Sequence, residues 1–119
     1  MNKQLFELAY FTSNVGGMAE FYKKLLGSDP VVESPDMAIF MIGDTKLFLH
    51  KMYTAEDGEL PPENHTAFRV DNVDEECGKL VASGLTLAVE AKDYYWGRSA
   101  YLRDPDGHMI EITEDKPYE

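Results

Sequence analysis

Taken as a string of apolar and polar positions, the chain passes from alternation to a helical period and back, and then repeats that order. Residues 5 to 12, from Leu5 to Thr12, are aromatic, apolar and few, which suits a strand. Ser13-Asn14 offers a helix cap ahead of Val15, Met18, Tyr22, Leu25 and Leu26, which recur at helical spacing. Gly27 then supplies the stop, because a left-handed C-terminal residue favours glycine. Strands are expected near 30–34, 37–42 and 45–51, punctuated by Ser34-Pro35-Asp36 and Gly43-Asp44. In the second half, residues 64 to 70 alternate into Asp71-Asn72, and Asn72 with Glu75 makes a capping box. Val73, Cys77, Leu80 and Val81 fall on one helical face and Gly84 ends that helix. Strands near 85–90, 97–103 and 108–114 complete the set.

Laying Gly27 on Gly84 brings Ala9 to Ala67 after a one-residue adjustment and sets Glu7 opposite His65. Laying Gly43 to Leu49 on Asp106 to Ile112 sets Phe48 opposite Glu111. The match is one of order more than of identity, and it points to an internal duplication. The 119 residues therefore read as one domain, with module 1 at about 1–51, a linker at about 52–63 carrying Gly58 and Pro61-Pro62, and module 2 at about 64–119.

Period two separates the faces of each strand. Phe6, Leu8 and Tyr10 oppose Leu5, Glu7, Ala9 and Phe11; Leu47 and Leu49 oppose Phe48 and His50. Thr66, Phe68 and Val70 oppose His65, Ala67 and Arg69, while Ile110 and Ile112 oppose Met109, Glu111 and Thr113. One face of each strand is apolar enough to pack under a helix. The other carries Glu7, His50, His65 and Glu111, four metal-binding or acid–base side chains, which is more than a polar rim requires.

Composition narrows the function classes. Twenty-two carboxylates against eleven Lys and Arg give a net charge of −11, a field that repels nucleic acid, and no basic stripe offsets it. The acidity itself is read first as a solubility feature. No apolar run approaches the roughly 18 residues of a membrane span. Met1-Asn2-Lys3-Gln4 leads into a strand without an apolar signal core, and with a single cysteine, Cys77, no internal disulfide forms. A cytoplasmic protein is expected.

Three stretches resemble one family. Leu102-Arg103-Asp104-Pro105-Asp106-Gly107-His108-Met109-Ile110-Glu111-Ile112 resembles the DPDG-x-x-[IL]-E-[IL] signature of the glyoxalase, bleomycin-resistance and extradiol-dioxygenase group, the vicinal oxygen chelate superfamily. Phe21-Tyr22-Lys23-Lys24-Leu25-Leu26-Gly27 resembles its FY-x-x-x-LG helix, and Asn64 to Asn72 its H-x-A-F-x-V-D-D strand. The resemblance implies an α+β fold: two βαβββ modules forming a U-shaped, partly closed mixed sheet with helices outside. It implies a divalent metal in the cup, held from the first and last strands of each module, that stabilises an oxyanion or enediolate on neighbouring oxygens. Residue by residue, His65 and Glu111 match the family's ligands. Glu7 stands where many relatives carry His, and Phe48 stands where Glu is common and cannot bind a metal. His50, about 7 Å along the same face, is the substitute.

The expected ligands are thus Glu7, His65, Glu111 and His50, suited to Zn, Fe, Mn or Ni, with Glu111 and His50 as the catalytic candidates and either a carboxylate released from the metal or His50 as the base. The plainer alternative pairs Glu111 with Arg69 or Arg98 and leaves His65 a hydrogen-bonded strand histidine. Phe11, Phe48 and Met109 would make an apolar cup floor. Tyr95, Trp96 and Arg98, within Asp93-Tyr94-Tyr95-Trp96-Gly97-Arg98, would form a flap that grips a substrate and meets its carboxylate, or else cap a sheet edge or a dimer. His108 reads as a solvent-side turn residue and Cys77 as a buried small hydrophobe. Two functions stay open: a metal-dependent lyase, isomerase or dioxygenase acting on a small oxygen-bearing substrate, and a metal-free protein that sequesters aromatic compounds. A regulatory or structural module ranks behind both, and a homodimer is expected with either.

Overall fold

The structure, a computed structural model, describes residues 3–114, which form eight strands and two helices. The chain divides into two compact units. The N-terminal unit is Glu7–Asn64; the C-terminal unit runs from His65 and takes in the segment through Phe6. Among the described residues, no helix is long and apolar enough to cross a membrane.

In the N-terminal unit, β1 (Gln4–Thr12) is followed by α1 (Val15–Leu26), β2 (Val32–Glu33), β3 (Met37–Ile42) and β4 (Thr45–Lys51), with strands ordered β2-β3-β4-β1. β4 runs antiparallel to β3 and parallel to β1, with Ala9 opposite Phe48 and Glu7 opposite Lys46. α1 begins where the Asn14 side chain accepts from the Gly17 N–H at 3.0 Å, satisfying an amide the first turn would leave unpaired. It ends at Gly27, whose φ of 68° puts it in the left-handed region while its N–H closes on the Lys23 carbonyl. Ala19, Ala38, Phe40, Leu47 and Leu49 form the core, with Leu8, Tyr10, Met18, Tyr22 and Leu26 packed against it. Burying Phe40 alone contributes about 1.5–3 kcal/mol. Leu25, which the helical spacing places with the apolar stripe, is exposed; Ala19 completes the stripe instead.

The C-terminal unit repeats the pattern with β5 (His65–Arg69), α2 (Val73–Ala82), β6 (Val89–Tyr94), β7 (Gly97–Arg103) and β8 (Met109–Thr113), in the order β5-β8-β7-β6. β8 is parallel to β5, with Ala67 opposite Glu111 and His65 opposite Met109. The duplication read from the sequence is therefore carried by the register: Glu7, Ala9, Lys46 and Phe48 correspond to His65, Ala67, Met109 and Glu111. Asn72 caps α2 by accepting from the Glu75 N–H at 2.9 Å, and Glu114 Oε1 accepts from Val73 N–H at 2.7 Å. Glu75 itself pairs with Lys79. The core is Val70, Val73, Cys77, Ala100, Leu102 and Ile112, joined by Phe68, Leu80, Leu87 and Ala91. Val81, expected on this face, points outward.

The sequence reading is displaced at two strands. The segment expected as strand near 30–34 pairs only at Val32–Glu33. The strand expected at 85–90 lies at Val89–Tyr94, because Asp93 pairs with Arg98 and Tyr94 with Gly97 across a hairpin whose two-residue turn is Tyr95-Trp96. The aromatic run is thus the tip of a hairpin rather than a free segment ahead of a strand. Gly97, at φ 142°, permits that tight return.

Candidate metal and substrate site

Glu111 is the centre of the polar chemistry in the C-terminal unit. It sits on β8 with Met109 and Thr113 on the same face, its side chain 5% exposed. Oε1 lies 3.2 Å from His65 Nε2. Oε2 accepts from Ser99 Oγ at 2.7 Å and from Trp96 Nε1 at 3.2 Å. The single proton of the Ser99 hydroxyl goes to the carboxylate, so the Thr113 hydroxyl, 2.9 Å from Ser99 Oγ, is the donor in that contact. A buried carboxylate without such partners would cost several kcal/mol. Neither Arg69 nor Arg98 meets it. Arg69 bonds to Gln4 and lies over the Phe6 ring, 5.4 Å from its centroid.

Aromatic rings wall the same place. Trp96 stacks on Tyr94 at 4.5 Å with the planes 6° apart, and Tyr101 stands edge-on to Tyr94 and to His65. The Tyr94 hydroxyl is buried and has no hydrogen-bond partner among the described residues. Burial first, and then the Glu111 charge, push its pKa up, so it stays a protonated donor. Tyr95, expected in the substrate pocket, is 93% exposed at the hairpin tip.

Arg98 departs from expectation. Its Nε and Nη2 reach Asp74 at 2.8 and 3.0 Å, and its Nη1 reaches Asp93 at 3.1 Å. Alternation explains this: along β7, residues 98, 100 and 102 face α2, and 99 and 101 face the Glu111 side. The guanidinium is held charged by its two carboxylates, and Asp74 is held below the usual carboxylate range by Arg98. It braces β7 and β6 to the start of α2.

In the N-terminal unit, Glu7 is buried on β1, with Lys46 Nζ 3.8 Å from its Oε1; both side chains are 11% exposed. Lys46, Phe48 and His50 share the β4 face that meets Glu7, Ala9 and Phe11. The His50 ring packs with Phe11 (5.6 Å), Phe48 (5.5 Å) and Tyr53 (6.0 Å), and its Nδ1 is 2.7 Å from the Lys51 carbonyl. A carbonyl only accepts, so Nδ1 is the donor in that contact. Phe11, Phe48 and His50 thus come together, as the faces predict.

The described residues that could ligate a metal ion are His65 and Glu111 in the C-terminal unit and Glu7 in the N-terminal unit. His50, the fourth expected ligand, is not among them; its ring packs with Phe11, Phe48 and Tyr53. His108 is exposed on Asp104, as a turn residue, and Cys77 is buried against the α2 core with its thiol pushed up by burial. Lys46, Ser99, Thr113 and Tyr101 were not assigned to the site by the sequence reading. Lys46 shares the parity of Phe48 and His50, and Ser99 and Tyr101 oppose Thr113 and Glu111, so alternation held a signal for each.

Known proteins are similar to this chain in sequence and in fold. The metallothiol transferase FosB of Staphylococcus haemolyticus is 30% identical over 116 residues, covering 94% of this chain and 84% of that protein. A lactoylglutathione lyase of Escherichia coli O157:H7 is 39% identical over 54 residues, 44% of this chain and 40% of that one. The crystal structure of methylmalonyl-CoA epimerase from Mycobacterium tuberculosis superposes with a TM-score of 0.71 at 19% identity, over 95% of this chain and 88% of that one, which speaks for the fold. The family model for the Glyoxalase/Bleomycin resistance protein/Dioxygenase superfamily matches residues 4–112. With that match spanning nearly all of it, this chain belongs to the glyoxalase/bleomycin resistance/dioxygenase superfamily.

Proposed function

We propose that this protein is a metal-dependent enzyme that holds a divalent ion through Glu7, His65 and Glu111 and acts on a small oxygen-bearing substrate. The observation that carries the reading is Glu111, a buried carboxylate with one oxygen turned to His65 and the other tied to Ser99 and Trp96. The donor set fits: two carboxylates and an imidazole suit Zn, Fe, Mn or Ni and leave coordination positions for substrate. Bound there, the ion would supply Lewis acidity toward a substrate oxygen. The chain supplies the rest. Trp96 and Ser99 hold one carboxylate oxygen still, so that Glu111 presents the other. Tyr94 offers its hydroxyl proton to a bound oxygen, and His50 Nε2 accepts a proton.

Among the reactions of the family, transfer of a thiol is favoured over the lyase reaction, because the likeness to FosB runs through 94% of this chain and that to the lyase through 44%. The thiol comes with a substrate, since Cys77 is buried away from Glu111 in the α2 core. Its sulfur forms a bond to carbon, a carbon–oxygen bond opens, and the thiol proton ends on the released oxygen. Protein purified without chelator, and then loaded with Mn, Zn, Ni or Fe(II), should bind about one ion and consume free thiol with an oxygen-bearing electrophile. A protein that takes up none of the four ions sinks this reading. A homodimer in the cytoplasm goes with it, checked by light scattering and cell fractionation.

Phe48 in the place corresponding to Glu111, within the cluster of Phe11, His50 and Tyr53, supports a second reading: metal-free binding of a flat aromatic compound. That reading expects quenching of Trp96 by an aromatic ligand at the same concentration with and without chelator.

A further inference from the structure

Lys46 has no place in the ligand set, yet it is buried beside one of its members. Its side chain is 11% exposed, as is that of Glu7, and Nζ lies 3.8 Å from Glu7 Oε1. Lysine is rarely buried unless it is paired, because stripping water from an ammonium costs far more than a surface pair returns. The duplication sharpens the point. Lys46 faces Glu7 across β4 and β1 as Met109 faces His65 across β8 and β5. At the matched position one unit thus carries a neutral thioether and the other a cation.

We infer that the Lys46 ammonium is a resident cation that competes with the metal ion for Glu7, and so sets how tightly the protein holds that ion. The inference rests on Glu7 being a metal donor. Two cations near one carboxylate repel each other strongly where water is scarce, so a divalent ion must displace the ammonium before it gains the full charge of Glu7. Without metal the ammonium neutralises the buried carboxylate and stabilises the fold; with metal, that stabilisation is given up as part of binding.

The matched residue supplies the test substitution, Lys46→Met, with Lys46→Gln as a second variant should the first fail to fold. Mn and Zn, each alone, are titrated calorimetrically into the intact protein, and melting is recorded with and without ion. We expect Lys46→Met to melt lower without metal, to bind the ion at least tenfold more tightly than the parent, and to gain more in melting temperature on saturation. In the Glu7→Gln background the gain from Lys46→Met should shrink to less than twofold. A purely structural lysine lowers melting and leaves affinity unchanged or weaker; that result overturns the inference while the metal reading stands. If the parent binds no ion and Lys46→Met does, the inference holds and the parent is not a metal enzyme. If neither variant nor parent binds, both ideas fall.

Discussion

Trp96 donates its indole N–H to Glu111 Oε2 at 3.2 Å and, more closely, to Ser99 Oγ at 3.0 Å, while the Ser99 hydroxyl donates to the same carboxylate oxygen at 2.7 Å. A tryptophan from a hairpin turn and a serine from β7 thus fix the rotation of one carboxylate. Groups that orient a ligand in this way are worth 10–100-fold in metal affinity. Ser99→Ala is therefore expected to weaken metal binding about tenfold, with Ser99→Thr recovering most of it. Trp96→Phe keeps the stack on Tyr94 and loses only the donor, so it should show a similar loss. Calorimetric titration checks all three.

His65→Ala and Glu111→Gln should each abolish stoichiometric metal retention. Glu111→Gln should also leave the fold cooperative, because its amide replaces the carboxylate atom for atom. Metal analysis after gel filtration, beside circular dichroism, separates loss of a ligand from loss of structure.

Arg98 gives a prediction in which stability and activity part company. Asp74 is held below its usual pKa, so its pairing with Arg98 stabilises the fold above the unfolded carboxylate pKa, about 3.9, and is lost as pH falls through the lower folded value. Arg98→Ala should therefore lower the urea midpoint at pH 7 and approach the parent below about pH 4. Its turnover, once folded and loaded, should match the parent's. A large loss of turnover would return Arg98 to the substrate.

Cys77 lies in the α2 core with its pKa raised by burial and by the neighbouring Asp74 and Glu76 charges. The native protein should leave a disulfide reagent unreacted at pH 8 and consume one equivalent only after denaturation. Rapid reaction in the native state would mean that the α2 core opens readily.

The sequence carried most of the fold because its signals are local. Asn14, Gly27 and Asn72 terminate helices by contacts within a few residues, and alternation assigned Glu7, His65 and Glu111 to faces that have their own polar partners in each unit. The pairing of Arg98 was not legible because a charged residue beside an aromatic run suggests a ligand contact, whereas its parity on β7 aims it at Asp74, 24 residues earlier. Lys46 was passed over because a lysine at the start of a strand is ordinarily solvated; its burial comes from Glu7 on a strand nearly forty residues away in the chain. The shift of β6 to Val89–Tyr94 was set by the hairpin pairing of Tyr94 with Gly97, which no hydrophobic period records.

The shared register of the two units has a consequence for how such a protein diversifies. Each polar position on the duplicated strands exists twice, so one copy can drift while its twin retains the chemistry. Here β5 and β8 carry His65, Met109 and Glu111 where β1 and β4 carry Glu7, Lys46 and Phe48, on the same strand pairing. The duplication acts as a reserve of positions, in which new ligand preferences arise in one unit by single substitutions and the other keeps its partners unchanged.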